Sequence, residues 1–400
     1  MTRRAINFVT HRYGNARDLM LRKIGQPYDA FPSAIRMLLA PKMAQPTQSK
    51  QWLTNQDGVD KIYQGEAAIP QPGEKEVLVK IHTVSLNYRD TEVCDGGYNH
   101  HKSIGGENKA LVPGSDMCGT VVKAGPGASL KEGQRVLSIF LQTHQTGQVQ
   151  ESDMASGMGL PLEGVLQEYR VFPDTALVTV PDYLSNEEAA TLPIAGTTAF
   201  MAMNWMQPMG KPISNPETTV LFQMQGTGGV SISGLQIAKA CGLKAIVTSS
   251  SDEKLEKARE LGADYTINYK KFPKWSEKAM EFTKGKGVDI ILECGGAQTV
   301  RQSFDSIAFG GLISSIGYLS GKQDTESDAL NINVLALRRN VTLKGHINGP
   351  KDRFEEMLQL YAQKEIHPVV DKVFSFDETK DAMQYLAKGG HFGKVVIKIA

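Results

Sequence analysis

A glycine-rich turn between a short apolar strand and a helix is the feature that most restricts the fold. The segment TVLFQ, residues 219–223, predicts a buried strand, and GTGGVS, residues 226–231, follows shortly after it. Apolar side chains at Ile232, Leu235 and Ala238 recur at the spacing of one helix face. Strand, glycine turn and helix in this order predict a βα unit of a parallel sheet whose turn binds a dinucleotide.

The glycines of this turn have a physical purpose. Gly226 permits the tight turn, and Gly228 lets the backbone approach a pyrophosphate. Ser231 stands where the dinucleotide-binding motif G-x-G-x-x-G has its third glycine. The first N–H groups of the helix have no partners within it, and they carry partial positive charge that suits an anion. The predicted cofactor contacts in the turn are Gly226, Thr227, Gly228, Gly229 and Val230. A turn that binds no ligand is the alternative interpretation.

The next strand bears on which dinucleotide would bind. An NAD site needs an acidic side chain about 20 residues after the first glycine, to accept hydrogen bonds from the ribose 2′-hydroxyl. Here AIVTS, residues 245–249, is followed by two more serines, and no acid comes before Asp252. Hydroxyls and a lysine suit a 2′-phosphate, so we predict NADPH, with Ser249, Ser250 and Lys254 as contacts. The serines also suit helix capping, which is compatible with this prediction.

The chain divides into two parts with different patterns. Its 400 residues predict two or three domains. From residue 51 to about 182, β-branched runs such as VLVKIHTVSL, residues 77–86, are separated by Gly and Pro turns, which is typical of an all-β, barrel-like unit. From residue 218, strands alternate with helices, which predicts right-handed βαβ units and a parallel sheet.

Composition excludes several classes of protein. The net charge of +1 gives no basic surface for nucleic acid or an anionic membrane. No run of about 18 apolar residues occurs, which argues against a transmembrane helix. Four scattered cysteines, Cys94, Cys118, Cys241 and Cys294, argue against a disulfide scaffold and a local zinc knuckle. We expect a soluble cytoplasmic protein that acts on a small molecule.

The first residues form a basic extension. Up to Lys50 the chain carries nine Lys and Arg against two Asp. A disordered extension, a start site at Met43 and a mitochondrial transit peptide are the three interpretations, and the third would change the location to the mitochondrion. We therefore leave residues 1–45 out of the fold prediction.

Four segments taken together carry a family resemblance. They are GTGGVS, LGADYTINY at 261–269, ECGG at 293–296 and HFGKVVIKI at 391–399. With the β-rich first part, they make the chain from about residue 51 onward resemble the medium-chain dehydrogenase/reductase superfamily, closest to its zinc-independent quinone reductase-like and enoyl reductase branches. The resemblance implies an α/β protein with a GroES-like β-barrel catalytic domain and a Rossmann doubly wound parallel-sheet cofactor domain.

The resemblance also implies domain boundaries and further cofactor contacts. The catalytic domain would span 46–190, the cofactor domain 191–340, and 341–400 would return to the catalytic domain. The active site would lie in the cleft between the domains. The oligomeric state stays open, with a homodimer as the assembly that family members often form. The additional cofactor contacts are Thr198, Tyr269, Gly295, Gly296, Gly317, Phe392, Gly393 and Lys394.

The chain departs from the zinc-dependent members of this family. Where those have a ligand cysteine and a ligand histidine, this sequence has Asn87 in NYRD and Ser115 in GSD. The third ligand position, near Ile194, has no cysteine either. Catalytic zinc needs three protein ligands that leave one position open, so we predict a site without metal. The adjacent His100 and His101 are interpreted as loop residues.

A site without a Lewis acid favours conjugated acceptors, because an enolate spreads the developing charge. We predict NADPH-dependent reduction of an activated C=C bond or a quinone. The resemblance makes Tyr98, in DGGYNH, the proton donor, and places Asn87 and Tyr88 against the nicotinamide or the substrate oxygen. A rim role for Tyr98 with solvent as the proton source stays open. So do two other functions, a metal-free alcohol dehydrogenase or carbonyl reductase and a non-catalytic NADPH-binding protein.

Two further residues close to these motifs receive structural interpretations. His346, in LKGHING, is interpreted as a hydrogen-bonded structural histidine rather than a cofactor contact. Cys294, beside the glycine pair of ECGG, is interpreted as a small buried apolar residue without thiolate reactivity.

Overall fold

The structure is a computed structural model, and it describes residues 47–98, 110–223, 228–321 and 331–399. The predicted extension at 1–45 lies outside the described residues, as do Gly226, Thr227, His100 and His101. Within the described ranges, no helix is long and apolar enough to cross a bilayer.

The first part of the chain is mainly antiparallel β-structure. Its elements are β1 Gln48–Leu53, β2 Tyr63–Ala68, β3 Glu76–Leu86, helix α1 Tyr88–Cys94, β4 Asp116–Ala124, β5 Arg135–Ser138, β6 Tyr169–Pro173 and β7 Leu177–Thr179. β1 and β2 form a two-stranded antiparallel sheet, while β3 is long enough to pair with both β4 and β6. Most of β3 is buried, in agreement with its nearly continuous apolar and β-branched sequence.

The second part alternates helices and strands as predicted. Its elements are α2 Asn186–Ala189, a π-helical turn at Leu192–Gly196, α3 Thr197–Asn204, β8 Thr219–Gln223, α4 Gly229–Ala240, β9 Lys244–Ser249, α5 Asp252–Glu260, β10 Tyr265–Asn268, α6 Trp275–Phe282, β11 Val288–Glu293, α7 Val300–Ser306, β12 Ile307–Ser315, α8 Ile332–Arg338 and β13 Thr342–Gly345. The predicted face of α4 is buried at Ile232, Leu235 and Ala238. Ser251 caps α5 by accepting from the N–H of Lys254.

The strands of the second part form one parallel sheet of six, in the order β10-β9-β8-β11-β12-β13. From β8 the chain adds two strands on one side and then moves to β11 on the other side. This reversal leaves a crevice at the carboxyl ends of β8 and β11, where open α/β sheets bind their ligands. The doubly wound Rossmann fold predicted from the sequence is therefore confirmed.

The end of the chain returns to the first sheet. Helix α9 at Lys351–Lys364 leads to β14 Val370–Ser375, helix α10 Thr379–Ala387 and β15 Lys394–Lys398. β15 pairs antiparallel with β3, so the sheet of the catalytic part has the order β14-β15-β3-β4-β5-β7, with β6 also on β3.

The return begins later along the chain than the predicted boundary at residue 341. β13 pairs in parallel with β12 and so adds the sixth strand of the cofactor-domain sheet. The first strand to rejoin the catalytic sheet is β14, which the sequence pattern did not identify. Its VDKVFS sequence is mostly exposed, because it lies at the sheet edge, and it lacks the apolar run of a buried strand.

Candidate active site

A cavity of about 300 Å³ opens between the two parts of the chain, at the crevice of the parallel sheet. From the catalytic part it is lined by residues at the end of β3 and along α1. From the cofactor part it is lined by the start of α4 and the residues that follow β11, β12 and β13. The residues of the predicted site that line it are Asn87, Tyr88, Tyr98, Thr198, Gly228, Gly229, Val230, Gly317, Gly393 and Lys394.

Gly228 and the N-terminus of α4 line this cavity. Gly228 precedes the helix with φ of 68°, a left-handed conformation that glycine adopts without strain. Its carbonyl accepts the first helical hydrogen bond, from Ile232 N–H at 2.7 Å. The N–H groups of the residues before Ile232 therefore have no carbonyl partner within the helix, and the positive end of the helix dipole faces the cavity. Ser231 instead ties the helix to β8, because its hydroxyl donates to the carbonyl of Gln223.

The predicted 2′-phosphate contacts lie outside the cavity lining. Ser249 is the last residue of β9 and is buried, whereas the other contacts follow the carboxyl ends of β9 and β10. Tyr269 N–H donates to the carbonyl of Ser249 at 3.0 Å, which brings the two loops together. Ser250 and Tyr269 are half-buried. Lys254 Nζ donates to the carbonyls of Gly389 and His391 at 3.2 and 2.9 Å, and burial lowers its pKa. The loop therefore offers hydroxyls and a fixed cation.

Asp252, the first acid after this strand, is already paired. Its carboxylate accepts from Asn268 Nδ2 at 2.7 Å and lies 2.6 Å from Lys271 Nζ. These partners lower its pKa and hold it as a carboxylate on the first turn of α5. The serine loop thus contains no carboxylate oriented to accept from a ribose hydroxyl before α5 begins.

Gly295 and Gly296 do not line the cavity. Their N–H groups donate to Glu293 Oε1 at 2.9 and 3.0 Å, so the buried Glu293 side chain folds back over them. This turn places Cys294 and Gly317 on the cavity wall instead. Burial raises the pKa of the Cys294 thiol to about 12, which agrees with its interpretation as an apolar residue. Phe392, another predicted contact, is buried outside the lining.

A buried polar cluster lies where β3 ends, and two of its members line the cavity. Lys394 Nζ donates to the carbonyl of Leu86 at 2.8 Å and to Asn87 Oδ1 at 2.6 Å, and it lies 3.8 Å from Asp116 Oδ2. Asn87 Nδ2 donates to that carboxylate oxygen at 2.9 Å. The Lys394 ammonium, a predicted cofactor contact, is therefore bonded to groups of the catalytic part at the cavity wall.

Burial shifts both charged members of this cluster. It raises the pKa of Asp116 to about 7, against the opposing effect of Lys394. It lowers the pKa of Lys394, against the opposing effect of Asp116. Burial thus opposes the charged form of each group, and the opposite charge of its partner offsets part of that effect.

Arg89 forms a second buried cation beside the cavity. Its Nη1 donates to Ser115 Oγ and, at 2.9 Å, to the carbonyl of Met158. The guanidinium carbon lies 4.6 Å from the ring centroid of Tyr98 and 4.8 Å from that of Phe140. These cation–π contacts fix the Tyr98 ring against the cavity wall. The motif NYRD had drawn attention to its asparagine, and the role of its arginine was missed.

Tyr318 and Glu92 join the two sides of the cavity. The Tyr318 hydroxyl donates to Glu92 Oε2 on α1, and Tyr98 N–H donates to the carbonyl of the same glutamate at 3.2 Å. Burial and this hydrogen bond raise the pKa of Tyr318. Sequence reasoning missed both residues, and the only available signal was that Tyr318 follows Gly317.

His346 also lines the cavity, so its interpretation as a hydrogen-bonded structural residue is wrong. Its Nε2 is buried without a hydrogen-bond partner among the described residues. The ring packs edge-on against Trp205, with centroids 6.2 Å apart. Burial lowers the pKa of His346 to about 4, so the imidazole is neutral at neutral pH.

Comparison with known proteins places this architecture in a family. A model described as alcohol dehydrogenase GroES-like domain matches residues 73–182, and one described as zinc-binding dehydrogenase matches residues 229–363. A zinc-type alcohol dehydrogenase-like protein of Schizosaccharomyces pombe is 40% identical over 346 residues, which cover 86% of this chain and 96% of that protein. The chain belongs to the medium-chain dehydrogenase/reductase superfamily.

Two other relatives agree with this membership. An acryloyl-coenzyme A reductase of Metallosphaera sedula is 27% identical over 83% of this chain and 95% of that protein. A solved structure from Sinorhizobium meliloti 1021, provisionally called an alcohol dehydrogenase, superposes with a TM-score of 0.77 at 33% identity. It covers 89% of this chain and 100% of that chain. As a member of this superfamily, the protein is an oxidoreductase.

A relative of this medium-chain oxidoreductase has a zinc-type name, so we asked whether the residues at its zinc-ligand positions could bind zinc. At the positions of the two expected ligands, Asn87 is bonded to the ammonium of Lys394 and Ser115 to the guanidinium of Arg89. The described part of the chain contains no group of three His, Cys, Asp or Glu side chains placed to hold a metal ion. Amide and hydroxyl groups next to two cations are a poor donor set for zinc. The residues present do not fit the metal.

A dinucleotide, in contrast, fits the residues that this superfamily member places around the cavity. The N-terminus of α4 and Gly228 face the cavity, and a side chain at Gly229 would approach Lys394 Cδ to 3.1 Å. Hydroxyls and Lys254 lie at the ends of the neighbouring strands. The turn offers N–H donors for a pyrophosphate and the serine loop offers donors for a further phosphate.

Proposed function

We propose that this oxidoreductase uses NADPH to reduce an activated C=C bond or a quinone, without zinc. The observation that carries the proposal is the pair of buried cations, Lys394 and Arg89, bonded to the residues that stand at the zinc-ligand positions. They lie beside the cavity into which the dinucleotide-binding turn opens. The acryloyl-coenzyme A reductase among the relatives acts, by its name, on a conjugated acyl group, which supports this substrate class.

Residues of the chain would each take a separate role in this reduction. Bound NADPH would supply the hydride, which an enone or enoyl acceptor takes at its β-carbon. Asn87 Nδ2 or the Tyr88 hydroxyl would donate to the carbonyl oxygen, where negative charge develops as the C=C bond is lost. Tyr98 would then donate a proton to the α-carbon, with its ring held against the cavity wall by the guanidinium of Arg89.

The test is NADPH oxidation by the purified protein across a panel of quinones, alkenals and enoyl thioesters. We expect turnover of at least one conjugated acceptor and much slower turnover of saturated aldehydes and ketones. Oxidation confined to saturated carbonyls would instead indicate a carbonyl reductase. Tight NADPH binding without turnover of any acceptor would indicate a non-catalytic binding protein.

Metal removal should leave this activity unchanged. The positions of two zinc ligands are occupied by groups bonded to cations, so a chelator has no catalytic metal to extract. The measurement is the reduction rate before and after dialysis against 1,10-phenanthroline, with elemental analysis of both samples. A zinc-dependent alcohol dehydrogenase treated in parallel is the control. Loss of activity together with stoichiometric zinc would contradict the prediction.

Replacing Tyr98 by Phe should separate proton transfer from hydride transfer. We expect the rate of enone reduction to fall by about 10²-fold, the lower end of what a positioned general acid contributes. Quinone reduction should fall much less, because its protons go to oxygen and can come from solvent. Tyr63→Phe, an exposed tyrosine on β2, is the matched control. An unchanged enone rate would assign the proton to solvent.

A further inference from the structure

The buried cluster at the end of β3 fixes the orientation of an amide. Lys394 has only donors, so the Asn87 atom that it contacts at 2.6 Å is the carbonyl oxygen. Asp116, as a carboxylate, has only acceptors, so the Asn87 atom at 2.9 Å is the nitrogen. The two contacts agree with each other, and together they exclude the flipped amide.

One donor of this amide is still available. The Nδ2 atom carries two hydrogens, and only one is donated to Asp116. The described residues provide no recorded acceptor for the other, and Asn87 lines the cavity beside Tyr88. Lys394 contacts the amide oxygen from the opposite end and withdraws electron density from the N–H bonds, since linked hydrogen bonds polarise one another.

The Lys394 ammonium is buried and held by groups of the catalytic part. It is 5% exposed, it donates to the carbonyl of Leu86 and to Asn87 Oδ1, and the Asp116 carboxylate lies 3.8 Å away as its ion-pair partner. Its nearest polar neighbours in the site are Asn87 and Asp116, so an effect on the reaction is expected through them.

We infer that Lys394 is a positioning residue: with Asp116 it locks and polarises the Asn87 amide so that one N–H stays directed at the substrate carbonyl oxygen. This inference rests on the proposed function and deepens it. In a site without metal, Lys394 would stabilise negative charge on the substrate oxygen indirectly, by polarising the Asn87 amide that donates to it. Asn87 is the catalytic group, and Lys394 acts only through it.

A double-mutant cycle tests this relation. Removing a preorganised oxyanion donor costs about 10²-fold, so Asn87→Ala should lower kcat for an enone by that factor. Lys394→Met should lower kcat about 10-fold or more, with KM for NADPH changed by less than about 3-fold. The double variant should be no slower than Asn87→Ala. Losses that multiply to about 10³-fold would show independent roles and overturn the inference.

Two controls protect this test against misfolding. Lys398→Met changes an exposed lysine of the same strand and should leave kcat unchanged. If Lys394→Met does not fold, the pair Lys394→Met and Asp116→Asn removes both charges and keeps the shape, and its kcat should still fall. A wild-type kcat in that folded pair would overturn the inference.

A second readout needs no turnover. In the protein without ligand, the ¹⁵N-bound protons of the Asn87 side chain should give two distinct signals, one shifted downfield by the carboxylate. They are identified by their loss in Asn87→Ala. Lys394→Met should move both signals and speed their exchange with solvent. Unchanged signals would show that Lys394 does not fix the Asn87 amide and would overturn the inference. If the wild type reduces no acceptor, the proposed function fails, and these signals still decide the inference.

Discussion

Ser250→Asp is expected to reverse the preference of the protein for NADPH over NADH. Ser250 follows the end of β9 and is half-buried, and the carbonyl of its neighbour Ser249 accepts from Tyr269 N–H. A carboxylate there would repel the 2′-phosphate of NADPH and could accept hydrogen bonds from the ribose of NADH. Losing one hydrogen bond to a charged group and adding repulsion costs about 3 kcal/mol, which is about 10²-fold in NADPH affinity.

The measurement is titration of the protein's fluorescence with each dinucleotide at fixed ionic strength. Lys257→Ala is the matched control, because it also makes the net charge one unit more negative. Lys257 lies on the same helix, exposed and paired with Glu253 at 2.9 Å. We expect this control to change neither affinity by more than about 3-fold, since an exposed pair is worth 0–1 kcal/mol. An unchanged ratio of affinities in Ser250→Asp would remove the serine loop from the 2′-phosphate site.

Local sequence was sufficient for the parts of the fold that depend on neighbouring residues. TVLFQ gave β8 with its predicted bounds, because a short run of buried apolar residues before a glycine turn has few other structures. Ser251 was foreseen as a cap because its hydroxyl bonds to a residue only three positions away. The strand alternation likewise predicted the parallel sheet.

The site depended on contacts that local sequence does not contain. Lys394 and Asn87 are 307 positions apart, and no spacing rule connects an asparagine before α1 with a lysine on the last strand. The family resemblance placed Gly295 and Gly296 among the cofactor contacts. Their N–H groups are taken by Glu293, whose side chain folds back only when the loop closes.

The zinc-ligand positions show the same difference between what the sequence reveals and what the fold reveals. The sequence shows which residues stand at the ligand positions, and zinc chemistry makes Asn87 and Ser115 poor ligands. It does not show what those residues bind instead. Only the fold brings Arg89 to Ser115 and Lys394 to Asn87. The zinc-binding dehydrogenase match covers residues 229–363 and so includes neither of these positions.

The largest effect on stability is expected from Lys394→Met. The variant leaves Asp116 buried without its cation and the carbonyl of Leu86 without its donor. Breaking one side of a buried ion pair costs about 3–5 kcal/mol of the free energy of unfolding. Urea unfolding at pH 8 measures this loss, and Lys398→Met on the same strand, exposed, should be close to the wild type.

The pH dependence of that loss follows from the direction of the Asp116 shift. Its pKa of about 7 in the folded protein lies above the ordinary value of 3.8, so folding favours the protonated acid. Its contribution to stability is full below about pH 4 and is lost as the pH rises through 7. Asp116→Asn should therefore remove a decrease in stability between pH 4 and pH 7 that the wild type shows. At pH 5 the acid is largely neutral, so Lys394→Met should cost less there than at pH 8. Adding Asp116→Asn to Lys394→Met should restore most of the stability at pH 8, because no buried charge is then left alone. An equal loss at both pH values would mean that Asp116 is already neutral beside Lys394, and that hydrogen bonds rather than the ion pair hold the cluster.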